Sequence, residues 1–153
     1  MAYTLMKTTI LILFLFSSLL GRAQFGSEQT NWTASWISVP DINETAPGLY
    51  LFRKTLNIDE LPAEFPVRVS ADNKYKLFVN GDLASVGPSL GDPDNWNYEV
   101  VDLIPYLKKG QNIIAAEVWN EGSYRAVNQF SLKTAFIVQG ENEDSELANT
   151  DNT

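Results

Sequence analysis

Two alternating runs, one ending in an Asn-Gly pair, narrow the possible folds more than any other feature of this chain. Val67, Val69 and Ala71 alternate with Arg68, Ser70 and Asp72 directly after Pro66, and Tyr75, Leu77 and Val79 alternate with Lys76, Phe78 and Asn80. A repeat of two puts one set of side chains on one face of a strand, so each run reads as a half-buried β-strand. Asn80-Gly81 supplies the two positive-φ residues of a tight hairpin turn. Leu83 to Val86 then reads as the returning strand.

The same reading extends along the chain. Leu51 to Leu56 is an early strand, Trp36-Ile37 a short apolar anchor before it, and Asn97 to Val101 a further strand. Ile113 to Trp119 is apolar except at Glu117 and predicts a strand covered on both faces. Phe130, Leu132, Thr134, Phe136 and Val138 are expected on one face of a last strand. The only helical signal is brief: Asp102 can cap, Lys108 and Lys109 suit the end of a turn, and Gly110 can take the left-handed stop. About seven short strands with regular turn signals and no internal repeat predict an all-β fold, an antiparallel β-sandwich.

Both ends of the 153 residues depart from this pattern. Lys7, the apolar run Ile10 to Phe16 with Leu19 and Leu20, and Gly21-Arg22-Ala23 read as a secretory signal peptide over residues 1–23. The apolar stretch is short of the roughly 20 residues that span a bilayer. The expectation is an exported protein, periplasmic or extracellular, with no membrane association after cleavage. Residues 139–153 carry five acids and no base and are expected to be an acidic tail or linker, for lack of apolar surface to offset their ordering entropy. The folded domain is thus expected over 24–138.

Composition excludes several chemistries. With no Cys and no His there is no disulfide, no Cys/His zinc site, no catalytic thiol and no imidazole triad. The net charge of −8 argues against nucleic acid and anionic membranes as partners, since both reward clustered bases. Carboxylate chemistry stays open.

Two loops interrupt the strands, Gly87 to Tyr98 and Asn120 to Arg125. Loops at sandwich ends are held rigidly by the sheets, which suits binding. A sugar site needs an aromatic face against ring C–H groups and polar side chains for the hydroxyls. Trp96, Tyr98, Asp94, Asn120 and Tyr124 are the candidate carbohydrate-binding residues. Against this, a Trp beside a strand end commonly fills a core rim, and Asp/Pro/Gly/Asn runs are ordinary turn chemistry. Trp119, at the end of an apolar strand, reads as packing. No cofactor is implied. Asp72, Asp92 and Asp94 are available to Ca²⁺, but their spacing is not a loop signature and solvated turn acids are the favoured reading.

Taken in order, Ala71-Asp72-Asn73-Lys74-Tyr75-Lys76-Leu77-Phe78-Val79-Asn80-Gly81, Gly87-Pro88, Trp96-Asn97-Tyr98-Glu99 with Val101-Asp102-Leu103, and Tyr106 through Asn120 resemble the N-terminal β-sandwich of bacterial α-L-rhamnosidases, which are exported glycoside hydrolases. Leu51 to Lys54 and Ser131 to Gln139 fit the same pattern, so the resemblance covers about residues 34–139. It implies a galactose-binding-like jelly roll and an accessory, non-catalytic module that contacts rhamnose-containing glycans of plant or bacterial origin. The alternative is a structural domain that docks a catalytic domain without binding sugar. In this family catalysis belongs to a separate helical barrel, where carboxylates work in pairs. Nothing in this chain corresponds to that barrel, so the chain alone is expected to be inactive, with the helical catalytic domain of a longer polypeptide as its partner. Many relatives are expected to carry a His before the loop Trp, where Asn95 stands here.

Overall fold

In the computed structural model, the described residues are 31–40, 43 and 45–151; the signal-peptide reading of residues 1–23 lies outside them. Seven strands form in chain order: β1 (Gly48–Ile58), β2 (Pro66–Ala71), β3 (Lys74–Val79), β4 (Asp82–Gly87), β5 (Glu99–Asp102), β6 (Gly110–Asn120) and β7 (Phe136–Gly140). They make a four-stranded sheet in the order β1-β6-β3-β4 and a three-stranded sheet in the order β5-β2-β7. All pairings are antiparallel. This is the antiparallel β-sandwich expected from the alternating runs.

The period of two decides which side chains meet. Val67, Val69 and Ala71 of β2 and Tyr75, Leu77 and Val79 of β3 are all fully buried, and Ile114, Ala116 and Val118 of β6 join them. Phe136 of β7 stacks on Phe52 at 5.6 Å and meets Tyr75 edge-on at 5.9 Å, linking the two sheets. At roughly 1.5–3 kcal/mol per fully buried large apolar side chain, this shared core is the main stabilising term.

The turns form as their residues dictate. Asn80 and Gly81 both take positive φ, 54° and 97°, and close the β3–β4 hairpin. The brief helical signal becomes a single 3-10 turn, Ile104–Tyr106. Asp102 Oδ1 accepts from Ile104 N at its start; the turn ends at the extended Leu107, so Gly110 is not its stop but takes φ 88° where β6 begins. Asn112 is fully buried and ties these pieces together. Its carbonyl oxygen accepts from Lys108 N and Asn80 Nδ2, and its amide donates to the carbonyls of Lys108 and Gly110.

Three expectations are corrected. β6 is not covered on both faces: every second residue from Asn112 to Asn120 is buried, while Ile113, Ala115, Glu117 and Trp119 are half-exposed on the outer face. The last strand starts at Phe136; Phe130 and Leu132 lie before it in an irregular segment and are exposed, because Asp72 accepts from the amides of Leu132 and Lys133 and so captures the backbone a strand would have used.

The third correction concerns residues 139–151, which pack on the sandwich instead of trailing from it. Gln139 and Gly140 finish β7, a 3-10 turn spans Ser145–Ala148, and Ser145 and Ala148 are buried. Thr150 Oγ1 donates to Ser35 O and accepts from Val138 N, and Lys54 Nζ reaches Asn149 O. Polar bonds to the sheet hold this acidic segment where apolar burial is scarce. Trp32 onward is a single compact unit.

Candidate functional site

The outer face of the three-stranded sheet is roofed by the segment that precedes β1. Ile37 bridges to Phe136, with amides donated in both directions at 2.9 Å, and Thr33 N and Ala34 N both donate to Gln139 Oε1. This anchoring sets two indoles, Trp32 and Trp36, over the sheet four residues apart. The Gly87–Tyr98 loop brings Trp96 and Tyr98 to meet them. The rings form a connected arc: Tyr98 lies edge-on to Trp32 at 5.7 Å, Trp32 is tilted against Trp36 at 6.3 Å, and Trp36 is edge-on to Trp96 at 6.5 Å. The Arg68 guanidinium sits 5.4 Å from the centre of the Tyr98 ring and is itself held by Glu141 at 2.6 Å.

Trp32, Trp36 and Trp96 wall an open groove of about 390 Å³ with Leu132, Ala135, Asp72 and Lys133. That volume falls in the range of roughly 300–1,000 Å³ typical of small-ligand sites. Trp36 is 39% exposed and offers a ring to a ligand. The Asp72 carboxylate is fixed by three donors from its own chain, Asn73 Nδ2 and the amides of Leu132 and Lys133. The groove thus combines flat apolar rings with a charged wall.

The five residues named from sequence do not converge. Trp96 and Tyr98 belong to the aromatic arc. Asp94 is exposed on the loop tip, where its amide donates to Asp92 Oδ1, and it is not part of the groove wall. Asn120 is 3% exposed; its amide donates to Ser131 Oγ and Thr134 Oγ1 and its carbonyl accepts from Gly122 N, which leaves it a structural pin. Tyr124 is 86% exposed and stands outside the groove. Trp32, Trp36 and Arg68 were missed as site residues. The available signal was the pair of tryptophans in a stretch with no strand period to claim them.

Two of the three possible calcium ligands, Asp72 and Asp92, are occupied. Asp92 Oδ1 accepts from the amides of Asp94 and Asn95 and from the Asn95 side chain. These bonds, the Asn95 side chain first, hold the Asp92 carboxyl below the ordinary aspartate range. Among the described residues, no three acidic, His or Cys side chains gather where a metal ion could sit.

Fold and groove together define an antiparallel β-sandwich with an aromatic face over its smaller sheet. No protein-family model matches the sequence, and a search of curated proteins finds no match. Solved structures do match, and several α-L-rhamnosidases are among them. A GH78 family rhamnosidase of Bacillus sp. GL1 superposes with a TM-score of 0.71 at 27% identity, over 80% of this chain and 13% of that one. The α-L-rhamnosidases of Streptomyces avermitilis and Dictyoglumus thermophilum share the fold, at 22% and 23% identity, over 70% and 75% of this chain and 12% and 15% of theirs. The resemblance read from the residues is therefore borne out, and it is to a small portion of those proteins: the chain spans about an eighth of their length.

Proposed function

We propose that this chain is the non-catalytic N-terminal sandwich module of an exported α-L-rhamnosidase-like glycoside hydrolase, and that it contacts rhamnose-containing glycan through the Trp32, Trp36 and Trp96 groove. The observation that carries the reading is the extent of the structural match, 80% of this chain against 13% of the Bacillus enzyme. A protein of that kind has ample chain elsewhere for its catalysis, and the sandwich supplies a platform. The groove supports the glycan part: indole faces suit the C–H face of a sugar ring, and the polar Asp72 and Lys133 line the same groove. In affinity gels containing rhamnogalacturonan, the protein is expected to be retarded, and Trp96→Ala and Trp36→Ala to remove the retardation. Unchanged mobility with every rhamnose-containing glycan would reject the glycan contact. Release of rhamnose from an aryl rhamnoside by the purified chain would reject the non-catalytic role.

A second reading, docking without sugar affinity, is favoured by the outer face of the four-stranded sheet. Strand register lines up Leu49 with Trp119, Leu51 with Glu117 and Lys76, and Ala115 with Phe78 and Leu83. Leu51 is 71% exposed, and Leu49, Leu83 and Val86 are exposed beside it. These exposed apolar side chains flank the Lys76–Glu117 ion pair, and exposed apolar groups gathered on one face mark interaction surfaces.

A further inference from the structure

Among the described residues, two buried side-chain donors have no acceptor, and both belong to residues lining one recess. Trp96 Nε1 and Gln129 Nε2 are out of reach of solvent and unpaired. Trp96 and Gln129, with Asn73, Asn97, Leu90 and Phe130, line a partly open recess of about 20 Å³. A space of that size holds one oxygen-sized group, since about 10–15 Å³ is the minimum for a water. Gln129 is 7% exposed and fixed from its backbone: its amide donates to Ala126 O, and its carbonyl accepts from Arg125 Nε at 3.0 Å. The backbone that carries the Gln129 donor is thus held in place before any ligand arrives.

Because both groups donate, only an acceptor oxygen can satisfy the two at once, which excludes an ammonium or another N–H donor. At the cavity's edge Phe130 and Leu90 are each about half exposed, offering an apolar face beside the polar recess. We propose that this cavity is the hydroxyl socket of a saccharide subsite, in which a pyranose lies with its C–H face on Phe130 and Leu90 and directs one hydroxyl oxygen inward to accept from Trp96 Nε1 and Gln129 Nε2. The subsite is distinct from the Trp32–Trp36 groove and shares only the Trp96 ring with it. It rests on the reading of the chain as a glycan-contacting module.

The test is a titration of the ¹⁵N-labelled chain with methyl α-L-rhamnoside and, separately, D-galactose, following the indole and glutamine side-chain N–H signals, with Trp96→Phe and Gln129→Glu used for assignment. The Trp96 indole and the Gln129 amide are expected to shift together and saturably with at least one of the sugars. Gln129→Glu keeps the shape but replaces the donor by an acceptor, and is expected to weaken binding about tenfold or more while the backbone spectrum stays native. Trp96→Phe provides the same check should the glutamate variant fail to fold. If the sugars move the Trp32 and Trp36 indoles and leave Trp96 and Gln129 still, the socket is refuted and the glycan reading stands. If no side-chain signal moves, both fall. A crystal grown with the sugar and showing only a water between the two donors likewise refutes the socket.

Discussion

Single residues carry more of this fold's definition than their size suggests. Asn112 satisfies the backbone at Lys108 and Gly110 and fixes Asn80, so one buried amide coordinates the hairpin turn, the 3-10 turn and the entry to β6. Asn112→Ala leaves several of those groups buried and unpaired, at about 1–3 kcal/mol each, and is expected to cost about 3 kcal/mol or more in urea unfolding. A loss below about 1 kcal/mol would mean that water replaces the amide. Tyr75 makes a second residue-scale prediction. Burial, offset in part by the hydrogen bond to Ser85 and reinforced by Glu99, pushes its hydroxyl up to about 12. A folded value raised above the unfolded one means its contribution is intact below pH 10 and lost as pH rises toward 12. Alkaline titration of the tyrosine absorbance should therefore show one tyrosine ionising only as the protein unfolds, and Tyr75→Phe should remove that step. At this scale the hairpin was legible from sequence: Asn80-Gly81 acts as its local chemistry dictates, because a turn residue needs only its neighbours. Asn120 misled for the opposite reason. Nothing local reveals that Ser131 and Thr134 return to occupy it.

At the scale of elements, the segment after β7 is the least expected part of the molecule. It lacks the apolar residues that usually tie down a terminus, yet Thr150 bonds to both Ser35 and Val138, and Asn149 caps Gly140 N. Ending the chain at Gly140 is expected to lower the melting temperature by several degrees, since about 1 kcal/mol shifts Tm by roughly 4–8 °C in a domain this small. An unchanged Tm would show the segment to be dispensable. Thr150→Val, which keeps the shape and removes the hydroxyl, should reproduce part of the loss. The Asp92 loop adds a pH-dependent element. Its carboxyl is held low by Asn95 and by the amides of Asp94 and Asn95, so the loop is ordered at neutral pH, and this order is lost as pH falls through that depressed value. The Asn95 amide signal should track that loss, and Asp92→Asn should largely abolish its pH dependence. Strand positions were readable because alternation is local; where the last strand begins was not, because Asp72 intercepts the chain from 60 residues away.

For the whole molecule, the two sheets present different outer faces. The smaller sheet is roofed by Trp32 to Ile37, while the larger exposes Leu49, Leu51, Leu83 and Val86. These exposed apolar side chains on an unroofed face predict concentration-dependent self-association of the isolated chain, measurable by sedimentation velocity. Leu51→Lys, on edge strand β1, should shift the chain toward monomer, at a change in stability within about 0.5 kcal/mol, as expected for an exposed side chain. A chain that stays monomeric at high concentration without the substitution would argue against docking through this face. The sequence by itself determined the all-β class and the hairpin, and through its lack of Cys and His it removed thiol and imidazole chemistry, because periodicity, turn residues and composition act locally or by simple absence. Only the tertiary structure decided which aromatics form a site. Trp32, Trp36, Trp96 and Tyr98 come from segments up to 66 residues apart, and no pattern along the chain records that two sheet edges bring them into one arc. The same holds for Trp96 and Gln129, whose missing acceptor becomes visible only once two loops close around one small cavity.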